Sequence, residues 1–90
     1  MSVTVRIPTQ LRTLTDGSGE VAAAGATLGE VIDDLESRFP GIGERILNAG
    51  ELRRFVNLYV DGEDVRFLGG LQTPVAAGAA VAIIPAVAGG

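Results

Sequence analysis

The sequence predicts an α+β domain: a mixed sheet of four to five strands covered on one face by a single main helix. Three observations point to it. Apolar and polar residues alternate over residues 3–7, Val56, Leu58 and Val60 recur at period two, and 81–84 is a short run rich in β-branched residues, the patterns of strands. Only residues 27–39 carry their apolar side chains at helical spacing. Finally, 90 residues, 47% hydrophobic and 20% charged, suit one globular core and are too few for two.

Val3-Thr4-Val5-Arg6-Ile7 opens the chain as a strand with Val3, Val5 and Ile7 on one face. Asp16-Gly17-Ser18-Gly19 is a turn, because Gly supplies positive φ and Asp bonds its own backbone. Glu20 to Ala24 is then a second, weaker strand pairing back on the first. Thr27-Leu28-Gly29-Glu30 fits a capping box, in which Thr27 takes an orphan N–H and Glu30 reaches back to the cap. The helix it starts aligns Leu28, Val31, Ile32, Leu35 and Phe39, and Pro40-Gly41 stops it. Ile42 to Leu47 reads as one more helical turn and Asn48 to Glu51 as loop. Arg54 to Val60 is the clearest strand, closed by Asp61-Gly62, with Val65 and Phe67 in a short edge strand after it. Residues 68–74 make an irregular crossing, and Val81 to Ile84 is the last strand, ended by Pro85.

The missing residues exclude much chemistry. There is no Cys, His or Trp, and all seven basic residues are Arg, so Lys is absent as well. That removes disulfides, thiolate nucleophiles, zinc–sulfur sites, the commonest general base and the Schiff-base amine. The net charge of −4 argues against nucleic acid as a partner. Residues 68–90 carry no charge, but Gln72, Thr73, Pro74 and Pro85 and the many Ala and Gly make poor membrane-spanning material. With no apolar run before Arg6, Pro8 and Arg12 to act as a secretory signal, a cytoplasmic protein that is not itself an enzyme is expected.

The acidic groups read as ordinary surface. Asp33, Asp34 and Glu36 fall on the solvent side of the helix, and Asp61, Glu63 and Asp64 lack the spacing of a calcium loop. No metal site is expected, and Gly69-Gly70 has no phosphate-loop context. The outward sheet face is more informative. Alternation turns Val56, Leu58, Val60, Val81 and Ile83 inward and leaves Phe55, Tyr59 and Ile84 outward as an apolar patch. Isolated surface apolars need no partner, whereas aromatic residues are enriched at docking surfaces. Both readings stand on the residues alone.

Residues 1–85 form one domain, and 86–90 a flexible tail ending in Gly89-Gly90. A frayed end is the simplest reading. The alternative is a handle. A carboxylate on Gly has no Cβ beside it, so another protein can enclose it, and five extended residues reach about 17 Å, enough to thread a narrow channel. Such a carboxylate is a poor electrophile and needs activation by a second protein.

The strand order, the Gly-Gly end and the Pro85-Ala86-Val87-Ala88 before it resemble the ubiquitin-like β-grasp sulfur carriers of the ThiS and MoaD group. Residues 54–67, Gly69-Gly70-Leu71 and 81–90 are most similar to the CysO-type carriers of actinobacterial cysteine biosynthesis, and Val3-Thr4-Val5, Ile7-Pro8-Thr9 and Thr27-Leu28-Gly29 extend the likeness over the whole chain. The resemblance implies a β-grasp fold and a carrier that binds no cofactor itself. An adenylating, ubiquitin-activating-like enzyme would use ATP to convert the Gly90 carboxylate to an acyl-adenylate, and a sulfur donor would replace AMP to leave a thiocarboxylate. A pyridoxal-phosphate cysteine synthase using O-phosphoserine would accept the sulfur through aminoacrylate, and a metal-dependent protease would release cysteine. Gly90 would bear the sulfur, Gly89 give clearance, Ala86, Val87 and Ala88 thread into the partner, and Phe55, Tyr59 and Ile84 dock it. A molybdopterin-synthase small subunit and a ubiquitin-like module whose tail is never activated remain the alternatives. With no Lys, only the α-amino group could be acylated by a neighbour's activated end, so chains of the ubiquitin kind cannot grow.

Overall fold

The first and last strands lie side by side in the middle of one sheet. The structure, a computed structural model, describes residues 2–53 and 56–85. In chain order it contains β1 (Val3–Arg6), a 3₁₀ segment (Thr9–Thr15), β2 (Glu20–Ala23), α1 (Leu28–Arg38), α2 (Ile42–Ile46), β3 (Leu47–Asn48) and β4 (Glu51–Leu52). There follow β5 (Val56–Val60), β6 (Glu63–Asp64), two 3₁₀ turns (Val65–Phe67 and Gly70–Gln72) and β7 (Ala80–Pro85). The main sheet runs β2-β1-β7-β5-β6. Only the β1–β7 pair is parallel, so the sheet is mixed and five-stranded, as expected.

The core follows from the alternation. Val3, Val5, Leu58, Val60, Val81 and Ile83 turn one way and are buried against Leu28, Val31, Ile32 and Leu35 of α1. Each such side chain removed from water stabilises the fold by roughly 1.5–3 kcal/mol. α2 is a five-residue helix that adds Ile42 and Ile46, both fully buried. α1 therefore remains the one long helix on the sheet, with α2 closing an end of the core.

The local signals act largely as expected. Thr27 caps α1, its Oγ1 accepting the Glu30 N–H at 3.4 Å. The Glu30 carboxylate, however, accepts the N–H of Ala26 at 3.0 Å, one residue earlier than a standard capping box would place it. Thr27 itself bridges Pro74, and the Val75 N–H donates to Ala26 O, so the approach to the helix is tied to the strand-like segment before β7. Gly25 makes that approach feasible, because a Cβ there would come within 2.7 Å of the Val31 backbone nitrogen. At the other end, Gly41 takes a left-handed φ of 101°. Glu36 gathers the turned chain, accepting the N–H groups of Gly41 at 3.0 Å and Gly43 at 2.8 Å.

One segment carried no expectation and two differ from theirs. Residues 9–15 form a 3₁₀ segment that buries Leu11 and Thr15, and the buried Thr15 hydroxyl donates to Ser18 O at 2.8 Å to fold the turn. Residues 47–52 form a hairpin, β3 with β4, around Ala49-Gly50, both in the left-handed region. The edge strand is Glu63–Asp64, and Val65–Phe67 is a 3₁₀ turn. Asp64 produces that change, because its Oδ1 accepts the Arg66 N–H at 2.9 Å and caps a turn where alternation suggests a strand. The correction puts Val65 in the core and leaves Phe67 outside it.

α1 is fastened to the edge strand by a side-chain clamp. Asp34 Oδ2 accepts the Ala24 N–H at 2.9 Å, and Arg38 donates both to that carboxylate and to Ala22 O. The Ala24 N–H first, and Arg38 second, hold the Asp34 carboxyl below the usual carboxylate range. A lowered folded-state pKa contributes stability that is present above the unfolded value and lost as pH falls through the folded one. Asp34→Asn is therefore expected to unfold at lower urea than the parent at pH 7, and the gap should close as the solution is acidified below the usual carboxylate range. Urea midpoints across that range check this.

Candidate functional site

β7 leaves the sheet with a partner on each side for only part of its length. Its antiparallel register with β5 runs through Val60↔Val81, Leu58↔Ile83 and Val56↔Pro85. Its parallel register with β1 ends at Arg6↔Ala82. The start of the strand is fixed by Asp61 in the β5–β6 turn, whose N–H donates to Ala80 O at 2.8 Å and whose Oδ1 accepts the Ala80 N–H at 3.0 Å. The turn residues Asp61 and Gly62 have φ of 51° and 87°, the left-handed pair that two-residue hairpins favour.

Because Val81 and Ile83 face the core, Ala82 and Ile84 face out, together with Asn57 and Tyr59. Tyr59 stands opposite Ala82 and Ile84 opposite Asn57, so Tyr59 and Ile84 lie diagonally on adjoining strands of one face. Ile84 is 50% exposed, while Tyr59 is half-buried. The structure thus brings together two of the three residues expected in the patch. Phe55 lies outside the described residues, as do Ala86, Val87, Ala88, Gly89 and Gly90. Along the row through Tyr59 the face turns polar at its margins, reaching Arg6 and Glu20 on one side and Asp64 on the other.

Arg66 braces this face. Its guanidinium donates to Val56 O at 2.9 Å and Arg53 O at 3.1 Å, and also to the Asn57 side chain. One planar fork therefore holds the start of β5, the strand beside the outgoing end of β7. Sequence reasoning missed this role, as it missed the exposure of Phe67 (86%) and Leu68 (46%) in the following turn. The signal was present in Asp64, a residue type that caps a turn two positions on.

The polar members of the face are the Asn57 amide, the Tyr59 phenol and the Arg66 guanidinium, with Arg6, Glu20 and Asp64 at its margins. Among the described residues no three Asp or Glu side chains gather where they could hold a metal ion. Among the same residues no helix is long and apolar enough to cross a membrane.

Comparison with known proteins agrees with this geometry. Residues 5–90 match the profile of the ThiS family. The chain is similar to the sulfur carrier protein CysO of Mycobacterium tuberculosis, at 57% identity over 93 residues covering all of both chains. It is similar to small archaeal modifier protein 3 of Haloferax volcanii at 38% identity over 65 residues, 72% of this chain and 71% of the other. A chain in the crystal structure of the Amycolatopsis orientalis BexX/CysO complex superposes with a TM-score of 0.94 at 56% identity, covering 98% of this chain and 99% of that one. The fold is the ubiquitin-like β-grasp.

Replacing Arg66 tests the brace. Arg66→Ala is expected to lower stability by about 1 kcal/mol, allowing for solvent screening of an exposed donor. Arg66→Lys should restore little of it, since an ammonium cannot span three acceptors in one plane. Chemical denaturation of the three proteins reads the difference.

Proposed function

The chain belongs to the ThiS family, and from that premise we propose that it is a sulfur carrier for cysteine biosynthesis, with Gly90 bearing the sulfur as a thiocarboxylate. It acts in the cytoplasm as a protein co-substrate and is not itself an enzyme. An adenylating partner joins the Gly90 carboxylate oxygen to the α-phosphorus of ATP, and pyrophosphate leaves. A sulfide donor then attacks the carbonyl carbon, a C–S bond forms, the C–O bond to AMP breaks, and the thiocarboxylate remains. On a pyridoxal-phosphate cysteine synthase working on O-phosphoserine the thiocarboxylate sulfur takes the place of phosphate, giving a thioester between carrier and cysteine. The acyl group shifts from sulfur to the cysteine amine, and a metal-dependent protease hydrolyses that amide, releasing cysteine and regenerating the Gly90 carboxylate. ATP, pyridoxal phosphate and metal all belong to the partners.

The observation that carries this reading is the position of β7. The strand leading to Gly90 is the central strand of the sheet, so the body presents the end from its most strongly paired element. Gly89 and Gly90 add no side chain near the carbonyl that must be attacked. Ala86, Val87 and Ala88 are small enough to thread a channel, and Phe55, Tyr59 and Ile84 dock the partner beside it. The absence of Lys fits an activated acyl group, because the fold carries no side-chain amine for a neighbour to acylate.

Co-expression with an adenylating partner and sulfide is expected to raise the intact mass by the difference between one oxygen and one sulfur. Deleting Gly90 should abolish that gain and leave the melting temperature unchanged. A parent chain that never gains the mass is a ubiquitin-like module and not a carrier. Ile84→Asp and Tyr59→Ala are each expected to weaken partner binding about tenfold, the loss of roughly one interface anchor. Titration calorimetry measures it, and unchanged affinity in both would move docking off this face.

A further inference from the structure

We infer that the groove flanking the outgoing half of β7 receives an acidic segment of the adenylating partner, held by Arg6 and Arg12. The inference rests on the carrier reading above and names the chemistry of the partner surface.

The groove exists because the sheet ladder stops early on one side of β7. β1 pairs with β7 as far as Arg6↔Ala82. Continuing that register sets Pro8 opposite Ile84, and a proline has no N–H to donate. Pro8 instead precedes the 3₁₀ segment, and the chain turns away. What remains is an open groove of about 390 Å³ lined by Arg6, Pro8, Gln10, Arg12, Ala82 and Ile84, among others. Its floor is the apolar side of the exit strand, and both charged groups lining it are cations.

Those cations are placed differently from Arg38, Arg53 and Arg66. Arg38 serves the α1 clamp, Arg53 donates to Glu44 O at 2.7 Å, and Arg66 braces β5. Arg12 is anchored by one bond, Nε to Ile7 O at 3.1 Å, and its guanidinium lies against Gly19. Its terminal nitrogens take no partner among the described residues. Among the described residues Arg6 meets only Glu20, at 3.9 Å, with both side chains well exposed (71% and 63%), a pair that water and salt weaken. Two guanidinium forks therefore face one groove with donors to spare, and carboxylates are the acceptors they match.

Charge complementarity and continuity select the occupant. The protein carries −4 overall, so attraction to an acidic segment is local to the two cations of the groove and owes nothing to the net charge. Ile84 lines the groove and also belongs to the proposed docking face, so a partner seated on that face reaches Arg6 and Arg12 without a second interface. An extended stretch of Asp and Glu on the adenylating enzyme fits this position.

The test is the affinity of the full chain for the adenylating enzyme of its own host, with Mg-ATP, at low and high salt. The parent is expected to bind more weakly as salt rises. Arg6→Glu should weaken binding about tenfold at low salt, equivalent to one unit in log Kd, and flatten the salt dependence, while Arg12→Gln moves both in the same direction. Glu20→Gln, which removes the carboxylate beside Arg6, should tighten binding. Arg6 is exposed, so a melting curve matching the parent shows that Arg6→Glu has folded; Arg6→Gln serves where it has not. If Arg6→Glu and Arg12→Gln both bind within twofold of the parent at both salts, the groove is not the contact and the carrier reading stands. If the parent chain is neither bound nor adenylated, the carrier reading falls and the groove assignment with it.

Discussion

Two-sided hydrogen bonding of the last strand is the constraint on which the rest depends. β7 is paired to β1 in parallel and to β5 in antiparallel fashion, and its first residue is pinned through Asp61. A parallel neighbour cannot be reached by a tight turn, so the chain must leave the sheet and return. α1, α2 and the 3₁₀ turns occupy that excursion, and they supply the apolar layer that makes the inner faces of β1, β5 and β7 worth burying. The two-sided ladder holds β7 as far as Ala82, and the antiparallel ladder to β5 alone carries it on to Pro85, which sets where the segment leading to Gly90 begins. The Asp34–Arg38 clamp and the Arg66 brace serve the same end at the two flanks of the sheet.

Much of this was legible in the residues, for identifiable reasons. Helix α1 was readable because its apolar spacing, its Thr27 cap and its Pro40-Gly41 stop all agree. Strands β1 and β5 were readable because each buries one face at period two, and β7 because Val81 to Ile84 is a short run rich in β-branched residues ended by Pro85. The same alternation assigned Tyr59 and Ile84 outward before any register was known. Phe55 and residues 86–90, expected to complete the site, lie outside the described residues.

Where sequence reasoning failed, a short-range polar group had overridden the pattern. Val65 and Phe67 alternate like a strand, but the Asp64 side chain caps a 3₁₀ turn there. The two-residue strands β3 and β4 are too short for any period, and only Ala49-Gly50 hinted at them. The Thr9–Thr15 segment offers just two buried residues, Leu11 and Thr15, four apart. Glu30 caps Ala26 because tertiary pairing to Pro74 and Val75 shapes the chain before the helix, information no local window contains. The Arg6–Arg12 groove was likewise invisible, since it arises where β1 ends relative to β7, a fact of register.

Taken as a carrier, the protein gives the reactive chemistry to its partners and keeps presentation for itself. The central claim is that β7 stays intact while its end is activated. Hydrogen exchange on the Val81 and Ile83 amides, followed while the adenylating partner and Mg-ATP turn the carrier over, tests it most directly. Protection equal to that of the free protein is the predicted result. Loss of protection to the level of the edge strands β2 and β6 would mean that the end is reached by unravelling the sheet, and would contradict the account.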